Sequence, residues 1–495
     1  MRKLKQLRLT MTDTATTAPR SGLTLSRSLT FAVGTIPVSA LTIALFVYLP
    51  HYLESHLAVP LMVVGGAWGL VRIIDLGIDL PLGYIMDHTR TAYGRYRVWL
   101  VAGAPVFMLG TYMLFLAPKG IGGAYLLVWL LVLYLGISIL YLAHSAWAAG
   151  LAPQYDQRSR LFGILAAVGV AASVVELFVP IAAPLFGRTD AEGVQAMGWL
   201  VVLVTPIAIG IAAIRTPETV VTNIKKSHFA SDLLDCLVLL KRPELIRLLA
   251  SQMALTLGPG WMSTLYLFFF IQARGYTSQQ ATMLLVVYIL SGVMGALATG
   301  RIATRFSKHH TLIATTSAYS IGLCFVMAVP KGSIIGAAPI MFWCGFMASG
   351  FDLMIRAMMA DVGDEIRLDQ GKERVSLLYA MLALGAKLAA TLAVVLSSFL
   401  LARVGFNPLE GAANDHHAIV GLEWVFLAGP IVFVMLGGAC IVGWKLDAER
   451  HARIRDALDK RDAQFDEAPI LDSFPVRPPV AVLAAEPEAN VSHLD

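Results

Sequence analysis

Charge is what this chain has least of. Asp, Glu, Lys and Arg make up 14% of its 495 residues, against roughly a quarter in a soluble domain. That scarcity excludes an ordinary soluble enzyme surface. Cysteine is scarce too: Cys236, Cys324, Cys344 and Cys440 are scattered, three of them within predicted spans, so no disulfide framework is implied. No His or Cys pattern has metal-ligand spacing. No nucleophile–base constellation stands out, so a membrane enzyme is the least supported function class. Residues 1–28 lack an apolar h-region and read as a basic, Thr/Ser-rich flexible tail with no cleavable signal; Met11 is an alternative start. The net charge of +5 is spread over short loops and does not point to nucleic acid.

What remains is apolar. Hydrophobic residues make up 57% of the chain, and mean hydropathy is +0.69. They fall in runs of about 20 or more, the length of a bilayer-spanning helix. Twelve spans are predicted, at 30–50, 60–86, 98–117, 123–150, 161–187, 195–214, 247–272, 278–301, 311–330, 334–360, 375–403 and 423–445. The fold class is therefore an all-α membrane protein. Basic residues such as Arg95, Arg97, Arg158, Arg160, Lys225, Lys226, Lys308 and Arg374 crowd the loops on one side, which the positive-inside rule makes cytoplasmic. Both termini are expected there, in a bacterial inner membrane.

The organisation follows from the spacing. A tail (1–29) precedes a six-helix bundle (30–214). A polar middle loop (215–246) carries SDLLDCLVLLKRPEL, read as an amphipathic helix on the cytoplasmic face. A second six-helix bundle (247–445) follows, then a tail (446–495) that is helical to about Asp462, with Glu449–Arg453 and Asp456–Lys460 at i,i+4, and disordered beyond. The halves echo each other: each has a short basic loop after its second span and a charged loop after its fourth. Such internal repeats build many secondary transporters, with the binding site between halves.

Within the second span lie Asp75 and Asp79, four residues apart and so on one helix face. A charge at mid-bilayer costs about 3 kcal/mol on insertion scales. Two carboxylates there call for a cation, or for Arg72, to share the space. Lys387 sits deep in the eleventh span and needs a partner, for which a carboxylate across the bundle is the natural choice. Snorkelling, or a bond to a backbone carbonyl, is the alternative for Lys387.

Three stretches carry a family resemblance: RIIDLGIDLPLGYIMDHTRTAYGRYRVW, PQYDQRSRLFG and MMADVGDEIRLDQGKERVSLLYAMLALGAKLAA. They resemble the major facilitator superfamily and, within it, the glycoside–pentoside–hexuronide:cation symporters, of which melibiose permease is the familiar member. The resemblance covers roughly 30–445 and implies two pseudo-symmetric six-helix bundles moving a solute with a cation. It makes Asp75 and Asp79 the cation-site carboxylates and Ser138 a nearby hydroxyl ligand. It makes Lys387, with Arg72 and Tyr379, part of the coupling machinery. Asp87, Arg90, Arg95, Arg97, Asp361 and Asp364 become a cytoplasmic gate.

The chain also departs from the family pattern. The sugar-reading charges of helices one, four and five fall at Val38, Ser39, Tyr141 and Ala166. Ile78 stands where sodium users supply an amide, which favours H+ over Na+ as coupling ion at Asp75 and Asp79. Thr35, Ser39, Tyr141, Glu176, Trp147 and Trp261 are candidate substrate contacts. Trp261 follows a Gly-Pro-Gly sequence read as a break lining a cavity. For Glu176 a structural hydrogen bond is the competing role, and for both tryptophans plain helix packing. Asp352 and Arg356, at i,i+4, read as a structural ion pair near the cytoplasmic end.

The expected function is cation-coupled symport of a sugar, glycoside or related solute by alternating access, without a cofactor. The expected partners are that solute, the cation and membrane lipid, with the protein acting as a monomer. A transporter of an amphipathic solute such as a lysolipid or aromatic compound, possible as an exporter, is the second reading, and a transporter-fold receptor the third.

Overall fold

In the computed structural model, the described residues are 24–466 apart from 90, 92, 152–154, 219–238, 371–374 and 410. Most of the amphipathic middle-loop segment, Arg90, nearly all of the N-terminal tail and the chain beyond 466 lie outside them. Among the described residues twelve helices are long and apolar enough to span a membrane. They are α1 (Leu25–Ser55), α2 (Leu61–His88), α3 (Tyr96–Phe115), α4 (Gly123–Leu151), α5 (Tyr155–Ala182) and α6 (Asp190–Arg215), then α7 (Pro243–Leu267), α8 (Ser278–Phe306), α9 (Lys308–Phe325), α10 (Ile334–Gln370), α11 (Val375–Arg403) and α12 (His416–Ala439). A thirteenth helix, α13, covers Ala448–Asp466.

Polar residues set where several of the helices start. Thr189 and Glu192 form a reciprocal capping box that begins α6 at Asp190, and Thr277 with Gln280 does the same for α8. Asp415 caps α12 by accepting from the amide of Ala418 at 2.7 Å, which moves that helix N-terminal of the predicted 423–445. Glu218, which the sequence did not single out, accepts from the amides of Arg95, Tyr96 and Arg97 at 2.6–3.1 Å and so caps α3.

The expected break at Gly-Pro-Gly does not occur. Helix α7 runs through Pro259 and passes into a π-helical turn only at Phe268–Ala273. The glycines serve close packing instead: a Cβ on Gly258 would lie 2.7 Å from Val434 of α12. Helix α1 carries a matching π-helical turn at Ala44–Tyr48.

Helices α1–α6 form one half and α7–α12 the other. At the end opposite the chain termini the halves are bridged by side chains. The Tyr48 and Thr282 hydroxyls lie 2.8 Å apart, Ser55 Oγ donates to the carbonyl of Pro408 at 2.8 Å, and His51 packs on Phe268. Helix α2 of the first half also meets α11 of the second. Gly65 and Gly69 allow this: a Cβ on either would stand 3.1–3.3 Å from Ser398 or Val395.

Candidate functional site

The α2–α11 contact holds a four-charge cluster. Arg72 Nη1 donates to Asp75 Oδ2 at 2.5 Å, with both side chains buried. Ser138 of α4 donates to Asp75 Oδ1 at 3.1 Å. Lys387 of α11 donates to Asp79 Oδ2, while Asp79 Oδ1 is buried without a hydrogen-bond partner. Arg72 also reaches across the halves: Nε donates to Thr391 Oγ1 at 3.0 Å, and Nη2 to the carbonyl of Lys387 at 3.1 Å. Its guanidinium lies 5.1 Å over the ring of Tyr134.

Sequence reasoning grouped Asp75, Asp79, Arg72, Ser138 and Lys387, and the structure brings these five side chains into one constellation. Sequence reasoning missed Thr391 and Tyr134. Thr391 lies one turn beyond Lys387, and a lone hydroxyl at i+4 from an intramembrane lysine was the available signal. Two carboxylates face two internal cations, so the cluster balances its own charge. Arg72 takes up Asp75, and Asp79 is paired by Lys387 from the other half.

Tyr379 stands apart from this cluster. Its hydroxyl donates to the carbonyl of Arg356 on α10 at 3.0 Å, eight residues before Lys387 on the same helix and so about 12 Å away along its axis.

Between the halves lies a cavity of about 750 Å³, walled by α1, α4, α5, α8 and α10. Thr35, Ser39, Tyr141 and Ser173 give it hydroxyls, and Asp352 and Arg356 give it charge. Its lining on α1, α4, α5 and α10 falls in the middle and terminus-side parts of those helices. Ser173 Oγ donates to the carbonyl of Ser39 at 2.9 Å, which fixes α5 against α1. His144, not singled out from sequence, also lines the cavity, stacks on Phe31 and donates from Nε2 to its carbonyl at 3.1 Å.

Three expected substrate contacts fall elsewhere. Trp147 is buried between Phe31 and Arg97, its indole donating to the carbonyl of Pro217 at 3.3 Å. Trp261 is buried against α12, donating to the carbonyl of Val425 at 3.0 Å. Glu176 is fully buried with neither carboxylate oxygen hydrogen-bonded, and it is not among the cavity-lining residues. Apolar helices with bulky residues on every side do not announce which side faces a cavity. Asp352 and Arg356 do pair, Nε to Oδ2 at 2.6 Å, but α10 is 37 residues long, so they sit mid-helix and on the cavity wall instead of near its end.

At the terminus-bearing end, Asp361 accepts from Lys308 Nζ at 2.6 and 2.7 Å. Asp364 meets His451 at 3.0 Å and Arg455 at 3.6 Å, and Glu365 meets Arg450 at 2.5 Å. These bonds tie α9 and α13 to α10, so α13 is docked along one face and not wholly solvated. On the other half, Arg95 Nε donates to the carbonyl of Met86 at 3.2 Å. The side chain of Asp87 lies outside the described residues.

Twelve spanning helices in two halves, with a buried charge cluster and a cavity between them, define a multi-pass membrane transporter. The chain belongs to the MFS/sugar transport protein family, which it matches over residues 30–448. This agrees with the resemblance drawn from its motifs. It is 22% identical over 434 residues to an isoprimeverose transporter of Lactiplantibacillus pentosus, covering 84% of this chain and 88% of that one. It is 28% identical over 118 residues to a lactose permease of Lactobacillus helveticus, a match spanning 23% of this chain and 18% of the permease. In fold it is similar to the nucleoside transporter NupG, with a TM-score of 0.65, 12% identity, and 85% and 100% of the two chains covered. A bacterial homologue of the human lysosomal transporter Spinster has a TM-score of 0.59 at 13% identity, with 88% and 97% covered.

Proposed function

We propose that this protein is a proton-coupled symporter that imports a neutral sugar or glycoside across a bacterial inner membrane, with both termini in the cytoplasm. The observation that carries the reading is the pairing of Asp79 with Lys387 across the two halves. Protonation of Asp79 would release Lys387 and so loosen one half from the other. A free carboxylate oxygen, Asp79 Oδ1, is available to take the proton. Sodium needs a cage of several oxygens, but Arg72 and Lys387 already hold Asp75 Oδ2 and Asp79 Oδ2, and Ile78 adds no oxygen. The bridges at Tyr48–Thr282 and Ser55–Pro408, opposite the termini, support an inward-facing state with the periplasmic side closed.

In this cycle a proton and a sugar enter from outside, each raising the affinity for the other, since coupling is reciprocal. Joint occupancy permits rocking, and both leave inside. The relative that transports isoprimeverose supports a sugar as cargo. An amphipathic solute is the second reading, favoured by the apolar side of the cavity at Leu140, Phe162, Leu165 and Ile289. Uptake of radiolabelled isoprimeverose or lactose by proteoliposomes tests the proposal: accumulation should follow an imposed pH gradient. Accumulation of neither sugar, under a proton or a sodium gradient, would sink it.

A further inference from the structure

The geometry points to Asp352 and Arg356 on helix α10 as the charged half of the sugar site. This rests on the proposed reading of the protein as a neutral-sugar transporter.

The first-half wall of the cavity is hydroxylated and uncharged, with Val38, Ser39, Tyr141 and Ala166 at the positions discussed above. Asp352 and Arg356 face them from the second half. Their exposure sets them apart from the other ion pairs at membrane depth. The side chains of Arg72 and Asp75 are 7% and 2% exposed, and those of Lys387 and Asp79 29% and 16%. Arg356 and Asp352 are 61% and 58% exposed. At this exposure the pair contributes about 1 kcal/mol or less to holding the helix together. It is presented to whatever fills the space.

The chemistry suits a vicinal diol. The bond within the pair runs from Nε to Oδ2, which leaves Asp352 Oδ1 to accept from one hydroxyl and an Arg356 Nη to donate to its neighbour. Hydrogen bonds to charged groups are the strong ones, and bidentate groups add direction. The pair carries no net charge, so it does not select for a charged solute over an uncharged one. A uronate would have to compete with Asp352 for the guanidinium. Tyr141, 53% exposed on the opposite wall, offers a ring face. A sugar so held touches both halves, and its affinity must then change as they rock. The Tyr379–Arg356 carbonyl bond ties this point of α10 to α11, the helix that carries Lys387.

The experiment is equilibrium binding to the purified full-length protein in nanodiscs, with isoprimeverose, lactose and D-glucuronate as probes and Tm as the folding check. Asp352→Asn and Arg356→Gln should each weaken binding of the neutral sugar by at least about tenfold. The double variant Asp352→Arg/Arg356→Asp rebuilds an i,i+4 ion pair with its ends exchanged. It should keep Tm near the wild-type value yet fail to restore binding, and Arg356→Lys should restore it only in part. Wild-type affinity in the exchanged double variant, or single variants within twofold of wild type, would make the pair structural and overturn the inference while leaving the transporter reading intact. Tighter binding of glucuronate than of either neutral sugar would overturn the assignment of a neutral diol. If the wild type binds neither neutral sugar, the sugar reading itself falls and this inference with it.

Discussion

Arg72 and Asp75 are one turn apart on α2, and the guanidinium holds the carboxylate at 2.5 Å while also donating to Thr391 on the opposite half. One side chain therefore neutralises a charge within its own helix and fastens that helix to α11. Arg72→Gln should lose both. We expect uptake to fall by more than tenfold with the protein still folded, because Ser138 continues to serve Asp75. Uptake in proteoliposomes, with Tm alongside, checks this; an unchanged rate would show that the cross-half bonds of Arg72 are dispensable.

Asp79 and Lys387 should behave as a unit. Lys387→Ala leaves a carboxylate facing low dielectric, and Asp79→Ala leaves an ammonium. Breaking a buried pair typically costs 3–5 kcal/mol, but these side chains are partly exposed, so we expect about 1–3 kcal/mol for either change. The double variant should recover most of that loss. A double-mutant cycle on Tm measures it, and strictly additive losses would deny the pairing.

Coupling should depend on carboxylate charge. Asp75→Asn and Asp79→Asn keep shape but cannot carry the change of protonation, so uphill accumulation should drop to a ratio of about one while counterflow survives in at least one variant. Full accumulation in both variants would remove these residues from the coupling site. In the wild type, replacing sodium by choline at fixed pH should leave uptake unchanged. A saturable sodium dependence would reverse the choice of ion, and Ile78→Asn would then be expected to strengthen it.

At the far end, Tyr48→Phe or Thr282→Val removes one interhalf hydrogen bond, worth about 0.5–1.5 kcal/mol. That is a shift of about two- to tenfold toward the state open on that side. Distance measurements between spin labels flanking the bridge would register it, and an unaltered distribution would show that the bridge does not bias the equilibrium.

Glu176 has no hydrogen-bond partner for either oxygen, yet is fully buried. Burying an ionisable group unpaired costs stability. Glu176→Gln should therefore leave Tm unchanged or raise it by a few degrees. A fall of more than about 5 °C would reveal an interaction that this conformation does not contain.

The sequence made some of this legible and hid the rest for physical reasons. Membrane spans need length and apolarity, both local properties, and all twelve were found. Asp75, Asp79 and Lys387 were conspicuous because charge is costly in a bilayer. That Arg72 can reach Asp75 was legible from their i,i+3 spacing, whereas the service of Asp79 by Lys387 depends on how α2 packs on α11 at Gly65 and Gly69. Trp147 and Trp261 misled because a tryptophan looks the same in sequence whether it faces a cavity or a neighbouring helix. Asp352 and Arg356 showed their i,i+4 pairing in advance, but the direction they face depends on where a 37-residue helix lies against its partners.

The pairing of Asp79 with Lys387 also bears on how the protein is made. Arg72 and Asp75 leave the ribosome within the same helical turn, so that half of the cluster can enter the bilayer already neutralised. Asp79 precedes its partner by 308 residues. At 5–20 residues per second, that is a wait of about 15–60 s. Throughout this interval a nascent α2 carries a carboxylate whose counter-ion does not yet exist. The newborn first half must then neutralise Asp79 with a proton, keep it near the membrane interface, or shelter it in the insertion machinery until α11 arrives. Completion of the second half is in this sense the step that lets the first one settle.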